Sequence, residues 1–189
     1  MNGGVKTRTL PERIKIKGLH FWQTFNFGKI YVCTYICEMK LEEAIQTNKF
    51  RNDIHRAGLN IIYTAWWLKT IMSRELKNFG LTIEQYNVLR ILKGKHPEQM
   101  CVKDIAGRMM EKNSNVPRII DRLVVKKLVK RTDASHDKRH THMSLTPAGI
   151  NILELSTKRM NYIMDEMIEI DEKDAALLNR LLEKVRLKE

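Results

Sequence analysis

The 189 residues predict a mainly α-helical chain with one small β-hairpin near its middle. Three observations carry that prediction. Apolar residues recur at three- and four-residue spacings through most of residues 53–93, 102–125 and 146–187. Residues that start and stop helices stand where those patterns begin and end: Gly80, Thr82 with Gln85, Gly94, Pro97 and Thr146-Pro147. Between residues 128 and 145 two short strand-like runs stand on either side of a polar tip, the second with side chains alternating between two faces.

Composition narrows the class. A 43% hydrophobic content supports a core, and Lys plus Arg outnumber Asp plus Glu by 34 to 22, a formal charge of +12. Such a balance favours a polyanionic partner, nucleic acid before an anionic membrane. The charge is uneven. Residues 101–147 hold 11 basic and 5 acidic residues, net +6, whereas residues 148–189 hold 7 and 9. A basic block of ordinary globular composition points to a folded binding face and not to a basic tail. Three cysteines, Cys33, Cys37 and Cys101, cannot build a disulfide scaffold, so a reducing, cytoplasmic setting is expected. No run of 18 apolar residues occurs, so neither a transmembrane helix nor a membrane partner is expected.

Residues 1–38 have no sustained helical period and mix Gly3-Gly4, Pro11 and Gly18 with the aromatic cluster Phe21, Trp22, Phe25, Phe27, Tyr31 and Tyr35. At Met39 the character changes at once to a helix start. The expectation is that 1–38 form an N-terminal extension outside the functional fold, non-native or disordered, with Met39 the natural first residue. Residues 39–80 then form a dimerisation helix region. Its long helix, 53–79, has an apolar surface wider than one small core needs, which implies burial on two sides, the second against a partner chain. Trp66 and Trp67 adjoin, so they point about 100° apart. Gly80 closes this helix as its C′ residue.

Residues 81–147 are expected to form the binding domain. Thr82 caps a helix with Gln85 at its third position, a capping-box pattern. Val102 to Met110 reads as a second short helix. Asn113 or Ser114 caps a third, with Pro117 in its first turn favouring Ser114. Val116, Ile119, Ile120, Leu123 and Val124 form its buried stripe, and Asn115, Arg118, Asp121, Arg122 and Val125 its other face. Strands at 128–133 and 139–145 flank the tip Ala134 to Lys138. Two short helices, the second with a basic outer face, then a hairpin, read as a winged helix-turn-helix. Thr146-Pro147 opens the C-terminal dimerisation region, 148–189, whose two helices hold the acidic surplus.

At these residues the chain resembles the MarR family of winged helix-turn-helix transcription regulators, over roughly residues 50–187. The resemblance rests on Arg118-Ile119-Ile120-Asp121-Arg122-Leu123 leading into Leu128-Val129-Lys130-Arg131. It rests above all on Asp137-Lys138-Arg139 followed six residues later by Leu145-Thr146-Pro147-Ala148-Gly149. It implies an obligate homodimer whose terminal helices form the dimer domain and whose winged lobes straddle a near-palindromic operator in double-stranded DNA. Two positions depart from the family pattern. Lys127 stands where Gly is usual, at a cost of about 1 kcal/mol if that position needs a positive φ, and Pro117 stands where Thr is common.

Asn115, Arg118 and Arg122 are the expected major-groove residues, Arg118 foremost, because a guanidinium can take guanine O6 and N7 together. Asn113 and Ser114, at the helix N-terminus, suit phosphate, as do Lys130 and Lys138. Arg139 matches the family residue that enters the minor groove, and Asp137 would hold it in position. A small phenolic or aromatic effector is the common family mode, and Tyr63, Trp66, Trp67 and Met72 are the expected pocket residues, though they serve equally as dimer core.

His136, His140 and His142 with Asp133 and Asp137 form no closed metal shell, so neither metal nor cofactor is expected. Cys101 at a helix start leaves a thiol sensor of the same fold open. No Gly-rich phosphate loop, HExxH or nucleophile elbow occurs, so an enzyme is not expected. A repressor is the expected role, and a sequence-indifferent architectural DNA binder is the alternative.

Overall fold

The computed structural model describes residues 15–16, 19–20, 40–111, 115–133 and 141–187. The aromatic cluster, Cys33 and Cys37 lie outside these residues, as does the whole wing tip, Ala134 to Lys138. The chain divides into two compact units, Met1–Tyr63 and Thr64–Glu189, with the division inside one continuous helix.

In the first unit, β1 (Lys15–Ile16) pairs antiparallel with β2 (Leu19–His20), a local ladder that the sequence pattern does not announce. The short α1 (Leu41–Ala44) precedes α2 (Asp53–Lys77). Arg56 of α2 reaches back to Glu42 at 2.6 Å and lies over the Phe50 ring, 5.8 Å from its centroid.

The second unit holds the rest of α2, then α3 (Ile83–Lys93), β3 (Met100–Cys101), α4 (Val102–Arg108), α5 (Val116–Val125), β4 (Val129–Asp133), β5 (Thr141–Leu145), α6 (Pro147–Met167) and α7 (Glu172–Arg186). The helical chain with a small antiparallel sheet matches the predicted class. Leu76, Leu89, Leu92, Ile105, Ile120, Leu123 and Met143 are fully buried at its centre. The buried Glu75 of α2 accepts from Arg159 Nε of α6 at 3.0 Å, so its charge is partnered, as a buried carboxylate requires.

The capping signals are realised. Thr82 Oγ1 accepts from the Gln85 amide at 3.2 Å, and Gln85 Oε1 accepts from the Thr82 amide at 3.3 Å. The same Thr82 hydroxyl, hydrogen-bonded to Glu84, holds that carboxyl below its ordinary range. Gly80 has φ 65°, and the Gly80 and Leu81 amides bond to the Lys77 and Leu76 carbonyls, which closes α2 as a Schellman motif.

The end of α5 repeats this motif with a lysine. Lys127 has φ 58°, its amide bonds to the Val124 carbonyl at 2.8 Å, and the Leu128 amide bonds to the Leu123 carbonyl at 3.0 Å. Lys127 is therefore the C′ residue, in the left-handed region that disfavours a Cβ. Replacing Lys127 with glycine should stabilise the unit by about 1 kcal/mol, read as a higher urea midpoint at unchanged slope. A lower midpoint would contradict the strain.

Thr146 locks the next junction. Its hydroxyl donates to the Lys127 carbonyl at 2.7 Å and accepts from the Gly149 amide at 3.0 Å, and its own amide bonds to the Leu128 carbonyl at 3.1 Å. The start of α6 is thus fastened to the turn that ends α5.

Several boundaries differ from expectation. β3 was not expected. Its two residues pair with β5, Met100 with Met143 and Cys101 with His142, and make a three-stranded sheet of order β3-β5-β4. A two-residue strand is too short to show any period. α4 stops at Arg108 because Met109 is extended, at φ −65° and ψ 138°. The N-cap position of α5 is Asn115, one residue beyond Ser114. Ser114 and Asn113 lie outside the described residues, and the described part of β5 begins at Thr141, not Arg139.

Candidate nucleic-acid interface

α5 is the element to which the charge and the helix-turn-helix order both lead. Val116, Ile119, Ile120 and Leu123 are buried, and Asn115, Pro117, Arg118, Asp121, Arg122 and Val125 are exposed. At about 100° per residue these form two opposed arcs, with Val125 about 10° and Arg118 about 30° from direct opposition to the centre of the buried stripe. The predicted pair Arg118 and Arg122 therefore share the outward surface of one helix. Lys130 is exposed on the adjoining β4. Asn113, Ser114, Asp137, Lys138 and Arg139, also expected at the site, lie outside the described residues.

Two features of this surface were not visible in the sequence. Arg131 of β4 bonds to the Asp121 carboxylate, so the acidic residue on the outward face of α5 carries its own counter-charge. Lys126 is turned away from that face. Its Nζ donates to the Gly80 carbonyl at 2.5 Å and to Gln85 Oε1 at 2.9 Å, tying the end of α5 to the start of α3. Neither partner could be assigned by spacing, because the residues involved lie 10 to 46 positions apart.

Glu111, beyond the end of α4, is partnered as well. Lys69 of α2 meets Glu111 at 2.5 Å, and that hydrogen bond raises the ammonium above its ordinary value. Cys101 Sγ accepts from the Asp104 amide at 3.4 Å and so caps α4. His136 and His140 lie outside the described residues. Among the described residues no group of three His, Cys, Asp or Glu could hold a metal ion, and no helix is long and apolar enough to cross a membrane.

The expected effector residues divide. Trp67 and Met72 pack against the core, Tyr63 is half-buried, and Trp66 is 60% exposed. An open cleft of about 490 Å³ lies elsewhere, against Lys95, Met100, Lys103 and Arg108, and none of the four expected effector residues lines it.

A helix-turn-helix followed by a β-hairpin, with a basic outward face on the second helix, defines the class of winged helix-turn-helix proteins. The model of the MarR family matches residues 81–141, which run from α3 into the start of β5. The HTH-type transcriptional regulator PapX of Escherichia coli is 28% identical over 89 residues, 47% of this chain and 54% of that protein. YsmB of Bacillus subtilis (strain 168), an HTH-type transcriptional regulator, is 28% identical over 88 residues, 46% and 60% respectively. The chain thus spans little more than half the length of these curated relatives. Among solved structures, AbsC, a MarR family transcriptional regulator from Streptomyces coelicolor, superposes with TM-score 0.63 at 20% identity, over 73% of this chain and 95% of AbsC. The organohalide-sensing regulator RdhR-CbdbA1625 gives 0.64 at 20% identity, over 71% and 80%. At such identities the structures establish the fold. The match to the MarR family model is confined to residues 81–141, so it is this winged helix-turn-helix segment that is similar to MarR family regulators.

Proposed function

We propose that this chain is a sequence-specific DNA-binding regulator that acts as a homodimer on a near-palindromic operator, represses from it, and is released by a small aromatic or phenolic ligand. The observation that carries the reading is the outward face of α5, where Arg118 and Arg122 stand opposite the buried stripe. Lys130 on β4 adds a phosphate contact beside it, and Arg139 in the wing a minor-groove contact.

The dimer is supported by apolar surface that one copy leaves open. α7 buries no residue and exposes Leu177, Leu178, Leu181 and Val185 at helical spacing. In the first unit Ile54 and Ile62 of α2 are exposed too, Ile62 by 67%. Such stripes are normally covered by a partner. Release by a phenol draws on RdhR-CbdbA1625, whose structure was also determined with 2,4-dichlorophenol bound.

Selection from a random duplex pool by the full-length protein, under competition from bulk DNA, tests the reading. One enriched, near-palindromic duplex bound at least about a thousandfold above bulk DNA is expected. Equal affinity for all duplexes would instead indicate an architectural binder. Affinity for the enriched duplex should also fall by orders of magnitude between about 50 and 200 mM salt, through counterion release. A flat salt response would count against DNA altogether.

A further inference from the structure

We propose that Val125 reads a thymine 5-methyl group, so that α5 meets base edges along its whole length and not at its first turn alone. This rests on the reading of α5 as the DNA-reading helix.

Val125 is 81% exposed although apolar and β-branched, at the last position of α5. A solvent-facing helix position is better filled by lysine or alanine, and no core contact compensates for the valine. It lies in line with Arg118, at the summit of the outward arc. Arg118, Asp121, Arg122 and Val125 follow the spacing i, i+3, i+4, i+7, by which a helix laid along the major groove presents four residues to bases. Asp121 in this row would repel phosphates, but Arg131 neutralises it. The thymine methyl is the apolar group that the major-groove edges of the bases offer to such a side chain. Arg118 and Val125 are about 10 Å apart along the helix axis. If Arg118 takes a guanine, the thymine lies about two to four base pairs from it.

The test uses the duplex recovered from the random pool, with each thymine replaced in turn by uracil, which lacks only the methyl. At one thymine per half-site the wild type should lose about threefold to fivefold in affinity, the worth of roughly one buried methyl. Val125→Ala should lose a similar factor on the parent duplex and become indifferent to that uracil. Arg118→Ala should keep the uracil effect. Neither variant should melt below the wild type, because both side chains are exposed and alanine is the better helix former. Equal uracil effects in wild type and Val125→Ala overturn the inference and leave the DNA-binding reading standing. No enriched duplex at all removes that reading and the inference with it.

Discussion

Gly149→Ala is expected to lower stability by about 3 kcal/mol or more, the upper end of overpacking costs, and so to remove a large share of a typical domain's margin. Gly149 is buried near the start of α6, and a Cβ built there would overlap the Leu128 carbonyl oxygen. That oxygen is backbone, so no rotamer change can clear it. Nor can α6 simply back away, because Thr146 holds its first turn to the Lys127 and Leu128 carbonyls. The substitution must either break those bonds or shift β4. Gly58→Ala and Gly107→Ala are the matched comparisons. Both are helical, and a Cβ at either meets nothing within 4 Å, so each should gain up to about 1 kcal/mol from helix propensity. Urea unfolding of the three variants reads the contrast directly. A Gly149→Ala midpoint equal to wild type would show that the close approach is not a constraint.

Arg118→Ala should weaken binding to the enriched duplex by about tenfold to a hundredfold per half-site, the value of a bidentate contact to guanine. Its melting temperature should be unchanged, since the side chain stands outside the core. Arg118→Lys separates charge from geometry. It keeps the positive charge, and so most of the salt dependence, but a lysine cannot form the planar two-pronged contact, so discrimination at that base pair should relax. If alanine lowers affinity for all duplexes equally, Arg118 is a phosphate contact and another residue reads the guanine.

The parts of the fold legible in the sequence were those written in local chemistry. Thr82 with Gln85, Gly80 and Thr146-Pro147 each announce a helix boundary through one or two neighbouring residues, and all stand where expected. The strain at Lys127 was legible too, because a position that usually holds glycine implies a left-handed backbone. What escaped depended on distance along the chain. β3 exists only because Met143 and His142 arrive about forty residues later to pair with it. The partners of Asp121 and Lys126 are likewise set by how α5 packs on β4 and α3. At the candidate site, the outward face of α5 followed from helical period alone. Val125 was visible on that face in the sequence, but only its exposure in the fold separates it from an ordinary boundary residue.

The Lys126 tie has a thermodynamic consequence. One ammonium group closes on the Gly80 carbonyl and on the Gln85 amide, at the corner between α2 and α3. At its other edge, α5 is held by Arg131 through Asp121. Two anchors on opposite sides of a helix fix its roll about its own axis. The outward face of the helix therefore keeps its bearing before any ligand arrives, and the entropy of orienting the helix itself is already lost on folding. Binding then need not pay it again, and each contact counts more nearly at full strength.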